Sequence, residues 1–472
     1  TFILIFSLSL SVIIWPNINL PSQDFVINSY DFNENYNKNN DTVRFIVFIL
    51  LSLLPFLYGY LRFYKKDVIN INQLLNIKFN RNKLSIRNNF FYLTSILVSG
   101  CLLQFLIIDF DSFISQLDLF HEGIWLTASS NYLLTKNFWV SSYIDRGFFG
   151  TFSPLIIWEI LDTQSIGAMR LSNLILLLLC KISLIFLAKK ISNNLDFTKQ
   201  KKIIFFLLLS IGLLTLVSFI NDGQFVRRSF LTIIFLNILI DMFQKKNSYN
   251  LHSFLVGFFS VLSFLWWLDI AVYINLIIIL LFIFFIIRKD YRILTSITFG
   301  IIVGWLSFII YFPKSEIIAF YTNSYNVFLT VDQIQGLVYP FPFFSGDTRA
   351  TKTLLYFVIG GVFTISICFN SKNKFNSTNK IFFLFLFILS LVSFKTGLSR
   401  SDSAHIKTSI GPLMIVLYSY IIYLFLIKLN SKIVNILNGN IVIKLSAITF
   451  IIFFFTDFNP LKIYNLKDFP NK

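Results

Sequence analysis

A chain of 472 residues in which 56% are hydrophobic and only 13% charged lacks the polar surface that a water-soluble enzyme of this length needs. Its 59 phenylalanines suit helices that face lipid. The net charge of +17 would suit nucleic acid if it formed a patch, but the lysines and arginines fall in short runs between apolar stretches, which is the pattern of membrane topology and argues against a nucleic-acid partner.

Taken in order, apolar runs predict membrane spans near Phe2–Trp15, Phe45–Leu61, Phe91–Ile108, Gly167–Leu187, Ile203–Ile220, Ser229–Met242 and Leu251–Leu268. They continue near Ile270–Ile287, Leu294–Phe312, Thr353–Cys368, Ile381–Phe394, Thr408–Ile427 and Ile441–Phe455. The expected fold is all-α: a single integral membrane domain over residues 1–472, a bundle of about thirteen transmembrane helices with short interfacial helices in its outer loops. The chain begins on Thr1, so its true start is expected to lie upstream. Thr1–Trp15 has neither a basic n-region nor a clear small-residue cleavage site and reads as a first span rather than a signal peptide.

With the N-terminus inside, every basic loop faces the cytoplasm: Arg62 to Arg87, Lys189 to Lys202, Lys245-Lys246, Arg288 to Arg292, Lys372 to Lys380 and Lys428 to Lys444. Among the acids only Asp67, Asp196, Asp241 and Asp290 join them. The spans follow from hydropathy alone, so this segregation of charge is an independent check. Cys101, Cys180 and Cys368 all lie in apolar runs, where packing rather than a disulfide framework is expected.

Three outer segments collect polar residues. The first, 109–154, holds Asp111, Asp118, His121 and Glu122. As a helix, Phe110–Ile124 would place Phe110, Phe113, Ile114, Leu117 and Phe120 on one face and Asp111, Ser115, Asp118 and Glu122 on the other. Such a helix lies on a membrane surface, and its acids are either a solvated face or a site. The second segment, Asn221–Arg228, carries Arg227 and Arg228 on the side where arginine runs against topology. Arginine suits phosphate, and snorkelling at the interface is the alternative. The third, Leu398–Lys407, packs Arg400, Asp402, His405 and Lys407 among three serines, a density of charge that needs pairing or use at a membrane boundary. Asp269, after Trp266-Trp267, reads as a cap for a helix starting at Ile270. A fourth stretch, 313–352, is long, aromatic and broken by prolines, and could serve as a lid.

The run His121-Glu122-Gly123-Ile124-Trp125-Leu126-Thr127-Ala128, then Pro154-Leu155-Ile156-Ile157-Trp158, then Arg170-Leu171, resembles the first outer loop of the GT-C superfamily of polytopic glycosyltransferases. His121 stands where relatives place the Asp of an acidic pair. The resemblance implies sugar transfer from a polyprenyl-phosphate donor to a hydroxyl acceptor on a glycan or lipid, at the extracytoplasmic face of a bacterial inner membrane. It implies a catalytic base among Glu122, Asp111, Asp118 and His121. Arg227, Arg228, Arg400 and Lys407, with Asp402 and His405 beside them, would meet the donor phosphate. No metal-ligand spacing is legible, and a divalent cation stays open as a cofactor. A polymerase or ligase using a pyrophosphate-linked donor is the second reading, and a transporter the third. Against transport stand charges at span ends and the lack of two matching halves.

Overall fold

The computed structural model describes residues 2–18, 20, 26–27, 32–33, 38–64, 87–106, 121–144, 146–216, 224–244, 249–335, 342–344, 349–369, 373–400 and 403–429. These residues are helical apart from short connections and a two-residue hairpin, β1 (Val26–Ile27) with β2 (Phe32–Asn33), paired antiparallel. The helices are α1 (Phe2–Ile14), α2 (Lys38–Tyr64), α3 (Arg87–Leu106), α4 (His121–Thr135), α5 (Phe148–Leu161), α6 (Ile166–Asn193), α7 (Lys199–Leu214) and α8 (Gln224–Gln244). They continue as α9 (Tyr249–Trp266), α10 (Leu268–Ile287), α11 (Tyr291–Tyr311), α12 (Lys314–Gln335), α13 (Ala350–Phe369), α14 (Ser377–Arg400), α15 (Ser403–Ser409) and α16 (Gly411–Lys428).

Six of them are long and apolar enough to cross a membrane: Ile166–Asn193, Leu268–Ile287, Tyr291–Tyr311, Ala350–Phe369, Ser377–Leu398 and Gly411–Lys428. Most of the other stretches expected to span are also helical, but shorter or more polar, and Ile441–Phe455 lies outside the described residues. α5 carries Pro154 inside it and runs on through Trp158–Leu161. One detail departs from expectation. The stretch Thr408–Ile427 is broken at Ile410, and α16 begins afresh with Pro412 in its first turn, where a missing N–H costs nothing.

Helix ends follow their local chemistry. Ser165 is the N-cap of α6, its backbone extended and its Oγ accepting from Ala168 N–H at 3.1 Å. α5 closes on Asp162 in the left-handed conformation, with its N–H returned to the Trp158 carbonyl. α5 opens after Gly147 at φ 147°, where a Cβ would lie 2.6 Å from the Trp266 carbonyl oxygen. Only glycine satisfies both constraints.

Three apolar cores form. The largest joins α6 to α10 with α14 and α16, and a second packs α1 and α2 on α13 to α16. The third is aromatic and gathers Trp139, Phe152, Trp158, Phe308, Phe312 and Phe320 from α5, α11, α12 and the connection after α4. α9 and α11 approach unusually closely, because a Cβ on Gly257 would sit 2.0 Å from Ile297 O and one on Gly300 2.0 Å from Phe254 O. At the end of the bundle assigned to the cytoplasm by charge, Asp241 receives Lys190 Nζ at 2.9 Å and lies 3.6 Å from His252 Nε2, tying α6, α8 and α9 together.

Candidate functional site

At the opposite end the first two polar segments meet, and Thr396, Thr408 and Ser409, which flank the third, lie beside them. Glu122 and Trp125 lie three residues apart on α4 and therefore face the same neighbour. Arg170, Ser172 and Asn173 open that neighbour, α6. The Arg170 guanidinium grips Glu122 with two donors, Nε to Oε1 at 2.7 Å and the second nitrogen to Oε2 at 2.8 Å. This forked pairing fixes orientation as well as charge, and it holds α4 on α6.

Arg227 and Arg228 are adjacent near the start of α8, so their side chains diverge by about 100°. Arg227 turns inward and is fully buried. It donates to Asn173 Oδ1 at 2.7 Å, Gly150 O at 2.8 Å, Ser172 Oγ at 3.2 Å and, in a short contact, Ser153 Oγ. The Trp125 ring lies across it, 4.2 Å from the guanidinium carbon. All these partners are neutral, so the buried charge is stabilised by dipoles and a π face rather than by a counter-ion.

Arg228 turns the other way. It faces the Trp267 ring at 5.0 Å and Asp269 Oδ2 at 3.5 Å, and its Nε has no hydrogen-bond partner among the described residues. Arg146, buried, stands between Trp125 at 5.9 Å and Trp267 at 5.5 Å. Its carbonyl accepts from Leu268 N–H at 2.6 Å. Guanidinium and indole thus alternate from Arg227 through Trp125, Arg146 and Trp267 to Arg228, an order that keeps three like charges from touching.

The ladder ends at a cleft. Asp269 lies in the first turn of α10, Oδ1 accepting from Ile270 N–H at 2.8 Å and Oδ2 from Thr396 Oγ1 at 3.2 Å. Tyr273, one turn on, meets Thr396 Oγ1 at 2.6 Å. Arg228, Asp269, Tyr273, Thr396, Thr408 and Ser409 are among the groups that line the cleft, whose free space is about 50 Å³. That is room for a few waters or one small polar group. Five of the lining residues bear hydroxyls beyond Tyr273 and Ser409, namely Ser229, Thr232, Ser393, Thr396 and Thr408. Thr232, Thr408 and Ser409 donate to helix carbonyls and Thr396 to Asp269, which leaves their oxygens as acceptors.

The residues singled out in the sequence fall into three groups. Arg227 and Arg228 share the ladder, with Arg228 alone of the two lining the cleft, and Glu122 pairs with Arg170 on α6, three residues along α4 from Trp125. His405 and Lys407 lie half-buried on α15, the short helix that delivers Thr408 and Ser409 to the cleft. Asp111, Asp118 and Asp402 lie outside the described residues, as do the side chains of His121 and Arg400, whose backbones begin α4 and end α14. Asp269 accepts the Ile270 N–H as a cap would, but from inside the first turn, because α10 already starts at Leu268 after its N-cap Trp267. Arg146, Trp125, Trp267 and Thr396 were not foreseen as site residues, although an arginine beside Asp145 in an outer segment was a signal in plain view. Among the described residues no three His, Cys, Asp or Glu side chains gather to hold a metal ion.

No protein-family model matches the chain, and no curated protein or solved structure matches it either.

Proposed function

We propose that the protein is a membrane glycosyltransferase that moves a sugar from a polyprenyl-phosphate donor to a hydroxyl acceptor, working at the extracytoplasmic face in the assembly of a cell-envelope glycan or glycolipid. The observation that supports it best is the convergence of Arg228, Asp269 and several hydroxyls in one cleft at the end of an apolar bundle, from which the arginine–tryptophan ladder runs to Trp125 and Arg227. The resemblance of His121–Ala128, Pro154–Trp158 and Arg170-Leu171 to the first outer loop of GT-C enzymes supports the same reading.

In this scheme the acceptor oxygen attacks the anomeric carbon as the bond from that carbon to the phosphate oxygen breaks. Polyprenyl phosphate leaves with the electron pair. The acceptor proton needs a base, and Asp269 is the carboxylate that lines the cleft. Glu122 has both oxygens engaged by Arg170 and serves to position α4. Negative charge grows on the departing phosphate, so a fixed cation stabilises the transition state more than the ground state. Arg228 fits that role because its contact with Asp269 at 3.5 Å is loose enough to be exchanged for a phosphate oxygen. Arg227, enclosed by four partners, does not.

A native mass spectrum of the detergent-solubilised protein tests this first. The expected adduct is a polyprenyl monophosphate, bare or carrying one sugar, that is depleted in Arg228→Gln. A pyrophosphate-linked oligosaccharide would point instead to a polymerase or ligase. Ordinary phospholipid as the sole adduct would count against both.

A further inference from the structure

We propose that α12 (Lys314–Gln335) is an interfacial anchor: one face seats in the headgroup–acyl boundary of a lipid bilayer while the opposite face fixes the 137–144 segment that leads to Arg146. The proposal rests on the membrane character of the bundle and not on sugar transfer.

The inner face comes first. Glu316, in the first turn of α12, is 2% exposed. Its carboxylate accepts three successive backbone N–H groups, from Phe138 at 2.8 Å, Trp139 at 2.8 Å and Val140 at 3.3 Å. A buried carboxylate is stabilised by such charge-assisted bonds, and here they form a rigid clamp on a segment that otherwise has no regular structure. Asn323, two turns on, closes a second clamp, accepting from Ile144 N–H at 3.0 Å and donating to Ile144 O at 2.6 Å. Phe320 and Val327 share this side of the helix and are buried as well. Arg146 follows Ile144 by two residues, so the clamps set where the middle rung of the ladder stands.

The outer face is apolar and open. Ile318, Tyr321, Tyr325, Phe328 and Leu329 recur at helical spacing roughly opposite Glu316. They are 40% to 64% exposed. Ser315, Thr322 and Asn326 are exposed too, on a polar stripe to one side. A helix with a clamp face, an aromatic face and a wet stripe is arranged to lie along a boundary rather than to cross it.

The occupant of the aromatic face follows from what precedes it. α11 is long and apolar enough to span, and it presents Phe299, Ile302, Leu306, Ile309 and Ile310 outward along its length. Ile310 and Tyr311, at its end, are 82% and 78% exposed. Only Phe312 and Pro313 separate that lipid-facing row from α12, so the aromatic face continues the surface of a span into the interfacial zone, where tyrosine is favoured.

Site-directed spin labelling in phosphatidylcholine–phosphatidylglycerol nanodiscs tests this. The three native cysteines are buried, so a cysteine added on the exposed face of α12 takes the label selectively. At Tyr325→Cys the ratio of oxygen to nickel-chelate accessibility is expected to be severalfold higher than at Asn326→Cys, its neighbour on the wet stripe. Tyr321→Cys repeats the measurement should Tyr325→Cys fail to fold. Equal ratios at the two positions would overturn the proposal. So would a label shielded from both reagents and dipolar-coupled to a second label across two molecules, which would make the face a dimer interface. For the clamp, Glu316→Gln is expected to sharpen the spectrum of a label at Val140→Cys, and an unchanged line shape would overturn that half.

Discussion

Arg227 and Arg228 are neighbours in sequence with opposite circumstances, and substitution should separate them. Arg227 is enclosed, its nitrogens matched to Gly150, Ser153, Ser172 and Asn173 and its plane to Trp125. Arg227→Met removes the guanidinium and leaves those acceptors buried without a donor. The expected loss of stability is roughly 3 kcal/mol or more, read as a lower melting temperature of the detergent-solubilised protein. Arg228 makes one long ion pair, with side chains 22% and 27% exposed, and lies over Trp267 at 5.0 Å. Arg228→Gln should therefore cost less than Arg227→Met, about 1 to 2 kcal/mol. If the proposed chemistry holds, the same substitution should lower the transfer rate by about 10² to 10³, as expected for removal of a group that stabilises developing charge. An Arg228→Gln protein that transfers sugar normally would remove this arginine from the mechanism. The adjacent pair was visible in the sequence, but its division of labour was not, because it depends on which partner each side chain meets across gaps of dozens of residues.

Single contacts between elements set the geometry at the next scale. α5 starts where Gly147 passes the Trp266 carbonyl, and α9 crosses α11 through Gly257 and Gly300. Gly147→Ala combines a forbidden backbone angle with an overlap against backbone that cannot swing aside. It should displace Arg146 from between Trp125 and Trp267 and destabilise the fold by roughly 2 kcal/mol or more, visible as a lower melting temperature and a changed tryptophan emission. Gly300→Ala should separate α9 from α11 by a comparable penalty without altering emission from the ladder. The same scale explains what was legible beforehand. The apolar runs behind α6, α10, α11, α13, α14 and α16 announce themselves locally, since hydropathy over about twenty residues is sufficient to mark a span. The break between α15 and α16 interrupts the span expected over Thr408–Ile427, although Gly411-Pro412 marks it in the sequence. The stretch 313–352 read as a long loop because prolines break its aromatic run, and only the clamp on 137–144 reveals what holds Lys314–Gln335 of it in place as α12. Asp269 looked like no more than a cap because Thr396, its partner, lies 127 positions away in sequence.

Among the described residues, clusters of polar and charged side chains stand at both ends of the bundle. Lys190, Asp241 and His252 mark one end, and Arg228, Asp269 and Thr396 the other. The expectation that basic loops face the cytoplasm would put the first end there, and the proposed function requires the second to face away from it. α11 joins the two, its 21 residues rising roughly 31 Å, which matches the hydrocarbon thickness of a bilayer. Arg292 is exposed near its start, and Ser315 is exposed just past its end. Single cysteines at these two positions should therefore differ in their response to a membrane-impermeant maleimide. In intact cells Ser315→Cys is expected to react and Arg292→Cys to stay protected until the membrane is permeabilised. The reverse pattern would put the arginine–tryptophan ladder in the cytoplasm, where a polyprenyl-phosphate sugar on the outer leaflet could not reach it, and the proposed reaction would fall with the topology. Labelling of both positions in intact cells would mean that α11 does not cross at all. The bundle would then need another account of its exposed apolar row from Phe299 to Ile310.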